Sequence, residues 1–206
     1  MNCKNLYIHL LYNNVIEYRQ ALYAEVRFIK NLYLVLTQTG TLPSKTLKLY
    51  TKDPYNHISM GFDKNLNVLF SFGRKNLHNP LNGGFVQEGI NKGLYSVFKD
   101  TICCVYEIKI TGEEYGNLKS TIDKFNSEKD HYRYNFLGLL TALFGYPLIR
   151  HYHYYCTQFV GTVLYDSKVA EFEKDISFLK PVDFCNLRNS KLVYQGKLSD
   201  YKYIQA

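Results

Sequence analysis

Residues 154–164 read Tyr154-Tyr155-Cys156-Thr157-Gln158-Phe159-Val160-Gly161-Thr162-Val163-Leu164, and the pattern changes character at the cysteine. Upstream, Tyr146 to Tyr155 is an irregular stretch rich in tyrosine and histidine. Downstream, Phe159, Val160, Val163 and Leu164 recur at the spacing of an amphipathic helix. Cys156 therefore stands at a helix N-terminus. Exposed N–H groups and the positive end of the helix dipole favour thiolate over thiol there. A thiolate is a nucleophile, and the neighbouring N–H groups suit an oxyanion.

A nucleophile of this kind needs a base from elsewhere in the chain. Asp53-Pro54 is a turn signal, and Tyr55 to Phe62 follows as a strand with His57, Ser59 and Gly61 on one face and Ile58, Met60 and Phe62 on the other. His57 is the polar residue that fits. Asp63-Lys64-Asn65 reads as a hairpin turn, with a return strand from Leu66 to Phe72. The residues alone leave two readings: a Cys156–His57 nucleophilic pair, or a small buried thiol and a structural strand histidine.

Further out, residues 1 to about 30 carry a helical pattern with charges of both signs on the polar face, which reads as a packing extension. Asn31 to Thr37 is a nearly continuous apolar strand, hence buried on both faces. Pro43 opens a short helical segment to about Thr51. A Gly/Asn/Pro-rich loop spans Gly73 to Gly84, ahead of Phe85-Val86-Gln87-Glu88, and Ile102 to Ile110 is a further strand. Helices are expected over Glu113–Phe125 and Asn135–Phe144, the latter apolar all round and so buried. A last helix near Val169–Phe178 and a strand around Leu192–Gln195 close the chain. Strands and helices without a repeat predict one α+β domain over 31–206, preceded by the extension.

Composition narrows the function classes. A chain of 206 residues with 46% hydrophobic and 21% charged residues can bury a core without disulfide staples. No run approaches the ~18 apolar residues of a membrane span, and no signal-peptide pattern opens the chain. The cysteines (Cys3, Cys103, Cys104, Cys156, Cys185) are odd in number and irregular in spacing, so a reducing, cytoplasmic setting is expected. Net charge is +7, but the basic residues are scattered and the longest cluster is a pair such as Arg74-Lys75, which argues for a solvated surplus rather than a nucleic-acid groove. His151-x-His153-x-x-Cys156 offers only three zinc-type ligands, so neither metal nor cofactor is expected. Cys103 and Cys104 point to opposite faces of a strand, which makes a redox dithiol unexpected.

The segments Pro54 to Met60, Phe70-Ser71-Phe72-Gly73-Arg74 and Tyr155 to Val160 resemble the circularly permuted branch of the NlpC-type papain-like superfamily, over about residues 31–166. The resemblance implies a papain-like fold, a small antiparallel sheet packed on the Cys helix. It implies Cys156 as nucleophile, His57 as base and a third polar residue on the next strand as orienter of the imidazole. Ser71 holds that position, where members often present a carboxylate, amide or second His. Glu88 is the substitute, or a group for a substrate ammonium. Tyr155 and Gln158 are further substrate-binding candidates. The implied activity is cysteine amidase or peptidase chemistry on a small peptide or other amide. Lipid-directed acyl transfer and a non-catalytic binding module stay open.

Overall fold

The structure is a computed structural model that describes residues 29–39, 53–76, 79 and 82–202. The expected N-terminal helix before Ile29, the segment from Pro43 to Thr51, and Cys3 lie outside the described residues.

Strands β1 (Lys30–Gln38), β2 (His57–Gly61), β3 (Leu69–Arg74), β4 (Gly83–Glu88), β5 (Ile102–Ile110) and β8 (Ser190–Lys197) form one antiparallel sheet in the order β4-β3-β2-β1-β5-β8. Two short strands, β6 (Arg133–Tyr134) and β7 (His153–Tyr154), pair in parallel beside it. Among the described residues the helices are α1 (Leu94–Val97), α2 (Gly112–Ser127), α3 (Phe136–Leu143) and α4 (Cys156–Asp166). The chain is thus α+β, with a sheet wider than the small one expected.

The apolar run of β1 puts it inside the sheet, between β2 and β5, with residues 32–38 all buried. Its alternate side chains feed two cores. Leu32, Leu34 and Leu36 join Ile58, Met60, Phe72, Cys104, Phe159 and Val163 on the helix-covered face. Tyr33 and Val35 join Leu66, Leu69, Tyr95, Cys103 and Val105 on the other. Cys103 and Cys104 accordingly sit in different cores, as the strand period requires.

Local signals set the element ends. The Thr111 hydroxyl accepts from the Glu114 amide at 3.1 Å, while the Glu114 carboxylate accepts from the Thr111 amide at 2.6 Å. This capping box starts α2. The hairpin after β2 is longer than its sequence suggests, because the Asp63 carboxylate takes the amides of Asn65 and Asn67 and Leu66 adopts a left-handed φ of 55°. The return strand therefore begins at Leu69. It runs on to Arg74, pairing Gly73 with Gly84 where the sequence suggests loop.

Two expectations about helices fail. At Lys168 φ is +60°, the Val169 amide bonds the Leu164 carbonyl, and the Lys168 amide bonds the Tyr165 carbonyl. That Schellman ending turns the chain away, and only Ile176–Phe178 of the expected last helix is helical, as one 3₁₀ turn. The other failure is α3. All-round apolar composition predicts burial, yet Leu137, Leu140 and Phe144 are 55%, 53% and 64% exposed, and only Gly138 of the helix is buried.

The helix-side core has one hub. The fully buried Phe72 ring lies 5.2–6.0 Å, centroid to centroid, from Phe85, Phe125, Tyr132, Tyr154 and Phe159, so it ties β3 and β4 to α2, α4 and the β6/β7 pair. Phe72→Ala should lower unfolding free energy by about 3–5 kcal/mol in urea titration. The exposed Val97→Ala should change it by less than about 0.5 kcal/mol. A similar small effect for both would show that the ring cluster is not close-packed.

Candidate active site

Cys156 is the first residue of α4, and Tyr155 caps it in extended conformation. The first turn holds no acidic side chain and receives no side-chain cap, so the dipole's positive end is uncompensated there. α4 is buried along most of its length and packs on β2 and β3. His57 is the first residue of β2. The two residues meet where their elements begin, near enough for the thiol to act on the ionisation of the imidazole.

The ring's other contact is Glu88, the last residue of β4. Its carboxylate lies 3.0 and 3.2 Å from His57 Nε2. With Nε2 engaged by the carboxylate, Nδ1 is the nitrogen left for the thiol. Behind Glu88 stands Tyr95, whose hydroxyl donates to Oε2 at 3.4 Å and lies 3.2 Å from Thr37 Oγ1. A phenol has one proton to give, so Thr37 is the donor to Tyr95. Thr37 is also the β1 residue opposite His57 in the sheet register. Desolvation, then the negative charge of Glu88, holds the Tyr95 phenol well above its ordinary pKa. A four-residue line thus runs from the buried sheet to the thiol: Thr37, Tyr95, Glu88, His57.

Desolvation alone would lower the His57 pKa. The Glu88 charge, the nearby Cys156 sulfur and the Glu88 hydrogen bond outweigh it and hold the imidazole well above its ordinary value. The surroundings of the ring thus favour its protonated form.

The sequence expectations divide here. Cys156, His57 and Glu88 come together. Ser71 does not join them: its buried hydroxyl donates to the Ile58 carbonyl at 2.6 Å and ties β3 to β2, and Glu88 is the residue in contact with the ring. Tyr155 is likewise buried, and its hydroxyl donates to the Ser177 carbonyl, which anchors the start of α4 rather than facing a ligand. Gln158 leaves the helix about 200° round from Cys156. Its buried Oε1 has no hydrogen-bond partner among the described residues. His153 turns Nδ1 to the His151 carbonyl at 2.7 Å. No three His, Cys, Asp or Glu side chains among the described residues group as metal ligands.

One neighbour of the thiol escapes sequence reasoning. Tyr134 stands near enough to Cys156 for a charge on the sulfur to act on its phenol. It gets there because β6 crosses β4 at two glycines. A Cβ on Gly83 would lie 2.7 Å from Tyr134 Cβ, and one on Gly84 would lie 2.6 Å from the Tyr132 carbonyl oxygen. Desolvation, then a nearby Cys156 charge, raises the Tyr134 pKa well above normal and keeps it a proton donor. The adjacent Gly83-Gly84 pair was the available signal, since such pairs permit close backbone approach.

The His57 shift has a consequence for stability. The imidazolium stabilises the fold fully below the unfolded-state pKa of about 6.5, and that contribution is lost as pH rises through the raised folded-state value. In urea unfolding of wild type and His57→Gln, the wild-type advantage should shrink as pH climbs above about 6.5. An advantage independent of pH would contradict a charged ring in the fold.

No protein-family model, curated protein or solved structure matches this chain, so the three motif segments carry the papain-like resemblance by themselves.

Proposed function

We propose that the chain is a papain-like cysteine hydrolase that cleaves an amide or ester through a thioester on Cys156. The observation that carries this reading is the Glu88–His57–Cys156 line ending at an uncapped helix N-terminus. In the proposed reaction the Cys156 thiolate attacks the carbonyl carbon of the substrate. The oxyanion that forms takes hydrogen bonds from first-turn amides of α4 and from the Tyr134 hydroxyl. His57 gives its Nδ1 proton to the leaving amine or alkoxide, and the carbon–nitrogen or carbon–oxygen bond breaks. The neutral ring next takes a proton from water, whose hydroxide attacks the thioester. The acid departs and the thiolate and imidazolium are restored. Glu88 holds Nε2–H throughout and thereby keeps Nδ1 aimed at the sulfur.

A second reading is lipid-directed acyl transfer, in which an acceptor alcohol or amine replaces that water. The exposed apolar α3 favours it, because α3 follows directly on Tyr134 and Asn135. Both readings use the same three residues.

Two measurements test the proposal. Iodoacetamide at neutral pH should modify Cys156 faster than Cys103, Cys104 and Cys185, by peptide mass spectrometry, and His57→Ala should slow that modification. Equal rates for all four thiols would favour a binding module. Against a panel of short fluorogenic esters and amides, Cys156→Ala should abolish turnover and His57→Ala should lower it at least about a hundredfold. Glu88→Gln should lower kcat more than Ser71→Ala, whose main effect is about 1 kcal/mol of stability from a lost buried hydrogen bond. The reverse order of those two variants would return the orienting role to Ser71.

A further inference from the structure

From Tyr134 to Ile149 the chain carries no charged residue, and several of its apolar side chains lie on the surface. Leu137 and Leu140 are exposed on α3, and Phe144, Tyr146 and Ile149 on the segment after it, with Ile149 74% accessible. The excursion is built rather than loose. Asn135 is fully buried, its Oδ1 accepts from the Gly138 amide at 3.0 Å, and its Nδ2 donates to the Leu148 carbonyl at 3.0 Å. One side chain thus caps the helix and pins the two ends of the excursion together.

The base of this apolar projection is cationic. Arg133 precedes it and Arg150 follows it. Arg133 pairs with His153 in the β6/β7 register, and Arg150 bridges to His153, so the chain leaves and returns at one spot. Lys75 Nζ donates to the Lys129 and Tyr132 carbonyls, which brings two lysines beside Arg133, with Asp130 and Glu128 as the acids nearby. Basic residues that are scattered in sequence converge here.

We infer that residues 136–149 form a docking element that inserts into an anionic lipid surface. An all-round apolar helix has no polar rim of the kind a protein interface carries, whereas hydrocarbon asks for none. The arginines and lysines at its base would meet lipid phosphates, and the aromatic Tyr146 suits the boundary between headgroup and chain. At eight residues α3 is about 12 Å long. That length is enough to enter one leaflet and short of the ~30 Å hydrocarbon core. The projection starts at Tyr134, which stands near Cys156, and returns through β7 two residues before it. Docking would place the thiol over the lipid surface. This assignment of substrate source, an acyl lipid, rests on the cysteine-hydrolase reading; the docking itself does not.

The test is vesicle flotation with the full chain carrying Cys156→Ala, so that turnover does not alter the lipid. The chain should float with vesicles of equal parts phosphatidylcholine and phosphatidylglycerol, and at least tenfold less with phosphatidylcholine alone. Leu140→Glu with Ile149→Glu should abolish flotation, and the same pair in a chain that keeps Cys156 should leave its rate on a soluble ester unchanged. If that double variant fails to fold, Leu137→Glu alone should lower flotation severalfold. Arg150→Gln should weaken binding and flatten its salt dependence. Absence of flotation, or flotation indifferent to the glutamates, overturns the docking assignment. So does a wild-type dimer in sedimentation velocity that the glutamates render monomeric, which would make a second copy the occupant. A Cys156→Ala chain that floats, with a wild type inert toward every ester and amide, overturns the hydrolase reading alone.

Discussion

The candidate site depends on how α4 is seated against β2 and β3. Phe159 and Val163, from one face of the helix, are fully buried among Ile58, Met60 and Phe72. Because those side chains project from a strand pair held in fixed register, the helix cannot rotate or slide without opening a cavity. Cys156 is the first residue of that helix and His57 the first of that strand. Core packing therefore sets the thiol–imidazole distance, and no local loop has to hold it.

Electrostatics then takes over from packing. A partly buried carboxylate and a partly buried imidazole form one charged pair, and each is tolerable only because of the other. Glu88 is held from behind by Tyr95 and through it by Thr37, so the pair is wired into the central strand β1. The sheet thus supplies both the scaffold and the polar support, and the helix supplies the sulfur.

Much of this was legible in the chain itself. β1 and β5 declare themselves because a buried strand needs a continuous or alternating apolar run over its own length. The α4 start is visible because the pattern changes at Cys156. What was not legible depends on register and crossing. The choice of Glu88 over Ser71 follows from β3 running on past Phe72 to pair with β4, a consequence of the Asp63 turn lengthening the hairpin. Tyr134 reaches the thiol only because β6 crosses β4 at Gly83 and Gly84. The exposure of α3 is invisible for a different reason: an all-apolar helix signals an apolar environment, and protein and lipid read alike in sequence.

If Glu88 and Cys156 together favour the charged ring, His57 is doubly protonated at neutral pH. Nitrogen-15 NMR of the His57 imidazole tests it most directly. Two protonated ring nitrogens are expected at neutral pH, with the ring losing a proton only well above its ordinary pKa of about 6.5. A neutral ring at that pH, or a titration at the ordinary value, would contradict it.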